Sequence, residues 1–254
     1  MNQRLLSGVI WGGLIGFSLL PTPVAAAPGD IPIGLDLSFN TSDEPQAVAG
    51  TLQLLLLLTL LSLAPAFLVL MTCFTRVVIV LSFVRQALST PMMPPNQVLI
   101  GLALFITFFV MSPVVMEVNE TAMQPFLAGE MSQQEAWYAG VLPLKEFMAK
   151  QTREKDLELF MNYTGAQRPE QVSEIPLTTL VPAFTISELK TAFQMGFLIF
   201  VPFLVIDMVV ASVLMSMGMM MLPPVMISLP FKILLFVLVD GWYLVVETLL
   251  TSFR

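Results

Sequence analysis

Four long apolar blocks constrain the fold of this chain more than any other feature of its sequence. About 20 apolar residues are needed to cross the hydrocarbon core of a bilayer. Lipid offers the backbone no hydrogen-bond partners, so each block must be helical. We therefore predict an all-α membrane-associated protein. Its four membrane-length helices are expected at residues 50–71, 98–118, 192–215 and 229–250.

Composition excludes several classes of function. The chain is 56% hydrophobic and 11% charged, whereas soluble domains carry about 25% charged residues. Its net charge of −7 opposes nucleic-acid binding, which needs a basic surface. The sequence has no histidine, which excludes Ser-His and Cys-His nucleophile pairs, and Cys73 is its only cysteine, which excludes an internal disulfide. We expect no enzyme activity, no metal site and no cofactor.

The first residues have the order of a cleaved secretory signal. Arg4 precedes an apolar stretch that ends in a run of three alanines. This order predicts a signal peptide at residues 1–26, with cleavage after Ala26. A flexible leader rich in Pro, Gly, Asp and Ser should follow at residues 27–49. An uncleaved anchor helix is the alternative.

The cations predict an orientation. Arg76 and Arg85 lie between the first two apolar blocks, and Lys232 lies between the last two. Arg and Lys in short loops stay cytoplasmic, so the segment at residues 119–183 should face outward. A cleaved signal peptide requires the same orientation.

The outward segment separates two pairs of apolar blocks. Residues 50–118 should form a first helical hairpin, and residues 184–254 a second one. Within the outward segment a helix is expected at residues 143–160, because Pro143 suits a first helical position and Gly165 suits a position just past the end.

Prolines interrupt three of the apolar blocks, at Pro65, Pro113 and Pro202. A proline inside a helix removes a hydrogen bond and tends to kink the helix. Simple curvature explains such prolines, but transporters and pores also use broken helices to expose backbone groups. Both interpretations stay open at this point.

Asp207 lies inside the third block, where an isolated charge costs several kcal/mol. Asp207 and Lys232 are equidistant from a point between Met219 and Met220, where the chain must turn. In an antiparallel hairpin the two side chains would reach the same depth, so we predict an ion pair that keeps the hairpin in register. The alternative is that Lys232 extends to water while Asp207 is protonated.

Two further acids, Asp240 and Glu247, lie inside the fourth block, seven residues apart and nearly on one helix face. They could pair with another subunit or line a channel. The motifs of intramembrane aspartyl proteases, Tyr-Asp and Gly-x-Gly-Asp, are absent from the sequence around Asp207 and Asp240. An ion-coupled transporter remains an alternative function, because a proton relay needs carboxylates inside the membrane.

A methionine-rich loop, residues 217–221, joins the last two blocks and precedes two prolines. Its methionines are Met217, Met219, Met220 and Met221. The unbranched thioether side chain adapts its shape easily. The loop therefore suits either irregular packing or a soft seal around something that passes through.

Two long, ordered motifs stand out in the second half of the chain, PAFTISELKTAFQMGF at residues 182–197 and PPVMISLPFK at residues 223–232. They resemble the two signature segments of the FliP family, the export-gate proteins of bacterial flagellar type III secretion, also called the FliP/SctR family. The runs FMAKQTREKDLELF at residues 147–160 and FKILLFVLVDGW at residues 231–242 are similar to the same family. The leading signal favours the flagellar branch over the injectisome relatives.

The resemblance implies an assembly in the bacterial inner membrane, within the flagellar basal body. Members of this family form a pentameric core with FliQ and FliR and work with FlhB-type and FlhA-type export proteins. Unfolded flagellar subunits pass through the centre of this helical, ring-like gate. The resemblance also implies that the apolar hairpins pack largely against sister subunits, in a gate raised toward the periplasm.

The resemblance assigns roles that spacing leaves open. The methionine-rich loop matches the constriction of the gate, which closes by excluding water. Asp207 and Lys232 then act as struts of that constriction. No catalytic residue is implied.

Overall fold

The computed structural model describes residues 45–165, 169, 171–219 and 221–253. The described residues form nine α-helices: α1 (Pro45–Met71), α2 (Phe74–Ala87), α3 (Asn96–Val118), α4 (Gln124–Leu127), α5 (Gln133–Gln151), α6 (Glu154–Thr164), α7 (Leu177–Ser216), α8 (Pro224–Leu238) and α9 (Gly241–Thr251). A π-helical turn (Asn119–Met123) joins α3 to α4, and a 3₁₀ turn (Val172–Glu174) precedes α7. The predicted all-α architecture is confirmed for these residues. The predicted signal peptide, and the leader up to residue 44, lie outside them.

Two helical stretches are long and apolar enough to cross a membrane, Asn96–Leu127 and Leu177–Ser216. Helices α8 and α9 would add a third only as one bent pair, because the chain turns by 62° between them. The apolar part of α1, Leu52–Phe67, is shorter. Two or three spans are therefore available among the described residues, where the sequence predicted four. An apolar run reveals how much surface needs cover but not where the helix breaks.

The chain divides into two compact units, residues 1–62 and residues 63–254. The described part of the first unit is the leucine-rich N-terminal portion of α1. In the second unit α2 packs against α3 and α7, and α7 packs against α8. Val77, Val80 and Val84 of α2 are fully buried at helical spacing. Helix α2 therefore forms the centre of this unit, although the sequence predicted only a loop at this point. At 14 residues α2 is too short to be recognised as a span.

Two helices, α5 and α6, occupy the part of the outward segment where the sequence predicted one helix at residues 143–160. That prediction is wrong, because Pro143 lies inside α5 and the chain breaks between α5 and α6. At the break the backbone N–H of Arg153 donates to Ser187 Oγ at 3.1 Å. The Ser187 hydroxyl in turn donates to Asp156 Oδ2 at 2.6 Å. A side chain of α7 thus provides the hydrogen-bond acceptor for the backbone N–H at the start of α6, which no neighbouring residue in the sequence provides.

The start of α5 and the end of α6 follow local rules. Ser132 and Glu135 form a reciprocal capping box at the start of α5. Gly165 ends α6 in the left-handed conformation, with φ of 66°. The predicted position of Gly165 is therefore confirmed.

The three block prolines do not end their helices. Pro65 lies inside α1, Pro113 inside α3 and Pro202 inside α7, and each helix continues past its proline as one element. Proline is tolerated inside such helices where neighbours satisfy the freed backbone group.

The fourth block breaks at Asp240 instead. Asp240 adopts a left-handed conformation, with φ of 51°, between α8 and α9. Gly241 follows because a Cβ at that position would lie 2.3 Å from the Phe236 ring. The bend therefore depends on close approach of the backbone to an aromatic ring.

Candidate functional site

The methionine-rich loop is the tip of the α7–α8 hairpin. Gly218, with φ of 74°, follows the C-cap residue Met217. The N–H of Gly218 donates to Met215 O at 3.1 Å, and that of Met219 donates to Leu214 O at 3.0 Å. This pair of bonds is a Schellman motif, which satisfies the last carbonyls of α7. Helix α8 then begins with Pro224 at its first position.

The described methionines of this loop point away from the rest of the chain. Met217 and Met219 are exposed, and Met221 is 99% exposed. Met220 lies outside the described residues. A capped turn therefore holds flexible apolar side chains away from the body of the protein.

Below the loop, Lys232 of α8 reaches Asp207 of α7. Lys232 Nζ lies 2.6 Å from Asp207 Oδ2, and Lys232 is only 1% exposed. The Ser228 hydroxyl donates to the other carboxylate oxygen at 2.5 Å. Lys232 Nζ also donates to Ser89 Oγ, in the turn after α2, at 2.8 Å. Ser89 and Ser228 were missed in the sequence, because neither carries a charge that marks it as costly.

A second buried ion pair has no counterpart in the sequence predictions. Arg76 of α2 and Glu188 of α7 are 2% and 0% exposed, and they pair through both carboxylate oxygens. Arg76 also donates to Gln151 Oε1 and to Ser252 O, each at 3.0 Å. The Phe253 ring lies over the guanidinium, 4.1 Å from its centre. We call these residues the Arg76 cluster.

The buried positions of these cations correct the orientation argument. Arg76 and Lys232 were counted as loop cations, but both are buried in ion pairs. Arg85, near the C-terminal end of α2, is half-buried and donates to Asn96 Oδ1 in the first turn of α3. All three cations therefore lie in helices rather than in the short loops that the charge rule concerns.

Asp240 and Glu247 do not lie in one continuous helix. The sequence argument assumed one continuous helix, but Asp240 lies at the break between α8 and α9 while Glu247 lies inside α9. Both side chains are exposed. Their predicted role at a subunit interface or pore stays a prediction.

Much of the α7–α8 hairpin surface is apolar and uncovered. A groove of about 490 Å³ between the two helices is lined by apolar residues, among them Val209, Val213 and Phe231. Only 11% of the most apolar 18-residue stretch of α7 is buried. Within the described residues no group of three or more His, Cys, Asp or Glu could hold a metal ion. The exposed surface of this hairpin is therefore suited to apolar contacts with lipid or with another protein.

Cys73 provides a reporter for the core of the second unit. Burial raises the pKa of the Cys73 thiol to about 11. The thiolate is the reactive form, so we expect iodoacetamide at pH 8 to leave Cys73 unmodified in the folded protein. The same reagent should label it after unfolding in detergent and heat, as measured by mass spectrometry. A Met92→Cys variant, exposed in the turn after α2, is the positive control; rapid labelling of Cys73 in the native protein would contradict this prediction.

Comparison with known proteins gives one consistent result. A family model described as the FliP family matches residues 57–249. The chain is 67% identical over 217 residues to the flagellar biosynthetic protein FliP of Bacillus subtilis (strain 168), covering 85% of this chain and 98% of that protein. It is 55% identical over 203 residues to FliP of Pectobacterium carotovorum subsp. carotovorum, covering 80% and 79%. It is 49% identical over 209 residues to FliP of Aquifex aeolicus (strain VF5), covering 82% and 87%.

Proposed function

Because this chain belongs to the FliP family and is a membrane-associated component of the flagellar export apparatus, we propose that it is the core subunit of the export gate. In this proposal copies of the chain surround a channel through which unfolded flagellar subunits pass. The methionine-rich loop supplies the constriction of that channel. The protein is therefore required for flagellum assembly, because the flagellar subunits must pass through this channel.

One observation carries the proposal: exposed methionines lie on a capped turn at the tip of a hairpin that a buried ion pair braces. A seal must exclude water and still yield to side chains of many shapes. Flexible apolar side chains on a fixed support combine these properties. A loop that served only packing within this chain would bury Met221, which is 99% exposed.

The uncovered apolar surface supports assembly with other chains. Most of the apolar stretch of α7 is exposed within one chain. An exposed apolar surface of this kind must be covered by lipid or by another protein. We propose a homopentamer, completed by FliQ and FliR and working with FlhB-type and FlhA-type proteins. The assembly lies in the bacterial inner membrane at the flagellar basal body, with residues 119–183 on the periplasmic side. The hairpins of residues 50–118 and 184–254 form its wall.

The competing function is ion-coupled transport by intramembrane carboxylates. Asp207 is engaged by both Lys232 and Ser228, an arrangement that favours a structural strut over a group that takes up and releases protons. Proton-driven uptake by the purified protein alone in liposomes would favour transport instead.

The gate proposal predicts the effect of replacing the methionines. Alanine at Met217, Met219, Met220 and Met221 shortens every side chain at the constriction, so the assembled gate should leak ions while it still forms. Leucine at the same positions keeps apolarity and volume and should restore most of the seal. The measurements are ion leakage through gates reconstituted in liposomes and flagellin export in cells. Alanine variants that assemble normally and leak no more than the unmodified protein would contradict the proposal.

A further inference from the structure

The turn between α2 and α3 contains a residue in an unfavourable conformation. Ser89 has φ of 57°, in the left-handed region that glycine and asparagine tolerate better than serine. It follows the C-cap residue of α2, the position that glycine most often occupies, and its N–H donates to Gln86 O at 2.9 Å. A side chain held in such a conformation suggests that the side chain itself is needed.

The Ser89 hydroxyl provides the contact that explains this conformation. Lys232 Nζ donates to Ser89 Oγ at 2.8 Å and to Asp207 Oδ2 at 2.6 Å. A buried ammonium that loses a hydrogen-bond partner destabilises the fold, because its desolvation is no longer compensated by that bond. Ser89 thus provides a second hydrogen-bond partner for the cation that joins α8 to α7.

The same contact links two parts of the second unit that differ in exposure. Helix α2 is the buried centre, with Val80 and Val84 fully inaccessible. The tip of the α7–α8 hairpin is exposed around Met217 and Met221. Lys232 therefore links α8, close to the exposed tip of the hairpin, to the turn at the end of α2.

We propose that Ser89 is a positioning residue of the gate, acting through Lys232 to fix the angle at which the α7–α8 hairpin holds the methionine-rich loop. The contact itself belongs to the fold, whereas its effect on the seal rests on the proposed gate function. Without the hydroxyl, Lys232 keeps Asp207 but loses its link to α2. The tip of the hairpin then changes its angle relative to α2, and the constriction loosens.

Three variants separate the hydroxyl from the backbone conformation. Ser89→Gly accepts the left-handed conformation more readily than serine but removes the acceptor. Ser89→Asn also tolerates this conformation and restores an acceptor oxygen. Thr90→Ala is the control, because it removes a neighbouring hydroxyl that bonds to Arg85 O rather than to Lys232.

The first measurement tests the contact without reference to the gate. Acylation of Lys232 by an amine-reactive reagent is followed by mass spectrometry, with exposed Lys150 as the internal reference. We expect the Ser89→Gly variant to react at Lys232 about tenfold faster, as loss of one hydrogen bond to a charged group implies. The Ser89→Asn and Thr90→Ala variants should react at rates close to the unmodified protein. Equal rates for all variants would overturn the proposal.

The second measurement tests the effect on the gate. In the liposome leakage assay the Ser89→Gly gate should leak more than the unmodified gate, and the Ser89→Asn gate should seal. If Lys232 labelling rises in Ser89→Gly while leakage stays unchanged and the methionine-to-alanine gate leaks, the positioning role is wrong although the gate function stands. If the methionine-to-alanine gate does not leak either, the proposed function fails, and Lys232 labelling still decides whether Ser89 holds Lys232.

Discussion

Replacing Glu188 by alanine should remove most of the folded protein. The change leaves the guanidinium of Arg76 buried at the centre of the second unit without its anionic partner. Removing one partner of a buried ion pair costs about 3–5 kcal/mol, a large share of the roughly 5–15 kcal/mol that stabilises a typical domain. The expected result is a strong loss of protein in membranes, measured by immunoblot, and a lower thermal midpoint in detergent, measured by tryptophan fluorescence.

Two further variants make this prediction specific to the buried charge. Glu130→Ala removes an exposed acid and should leave abundance and thermal midpoint nearly unchanged. The double variant Arg76→Met with Glu188→Leu removes both charges and should recover stability relative to either single change, since an apolar pair avoids the desolvation cost. If Glu188→Ala behaves like Glu130→Ala, the Arg76 cluster does not stabilise the fold.

The second large effect concerns Asp207 and Lys232, and it should be asymmetric. Asp207→Asn leaves a buried ammonium with Ser89 and a neutral amide, whereas Lys232→Met leaves a carboxylate that is 28% exposed on its side chain. The partly exposed carboxylate can still contact water, whereas the ammonium is buried and cannot. We therefore expect Asp207→Asn to impair gate assembly and export more than Lys232→Met.

The double variant Asp207→Asn with Lys232→Met tests the pairing itself. It should recover part of the loss, because the uncompensated charge is gone. The measurements are the yield of assembled gate by size-exclusion chromatography and the secretion of flagellin into the medium. Strictly additive effects of the two changes would show that the side chains act independently.

Spacing was sufficient to relate Asp207 to Lys232, because both helices of a hairpin rise by the same distance per residue from a common turn. The sequence could also indicate helices from apolar blocks and a helix end from Gly165. These inferences need only local pattern and simple geometry. The confirmed parts of the fold belong to this class.

What local pattern could not supply are contacts between distant segments. Arg76 and Glu188 are 112 residues apart, and neither position signals the other. Helix α2 was missed because its 14 residues are too few for a membrane span, so the stretch was assigned to the connection between two longer blocks. The break at Asp240 depends on the packing of Phe236 against Gly241, which hydropathy does not detect. Hydropathy also cannot distinguish lipid from protein as the cover of α7.

The Arg76 cluster has a consequence for synthesis of the chain. Arg76 bonds to groups that follow it by 75, 112 and 176 residues. During translation α2 therefore leaves the ribosome long before Ser252 exists, and its guanidinium must wait in water or at the bilayer interface. An unpaired arginine is too costly to bury in the interim. We therefore expect the second unit to close around Arg76 only after α7 and the residues that follow α9 have been made.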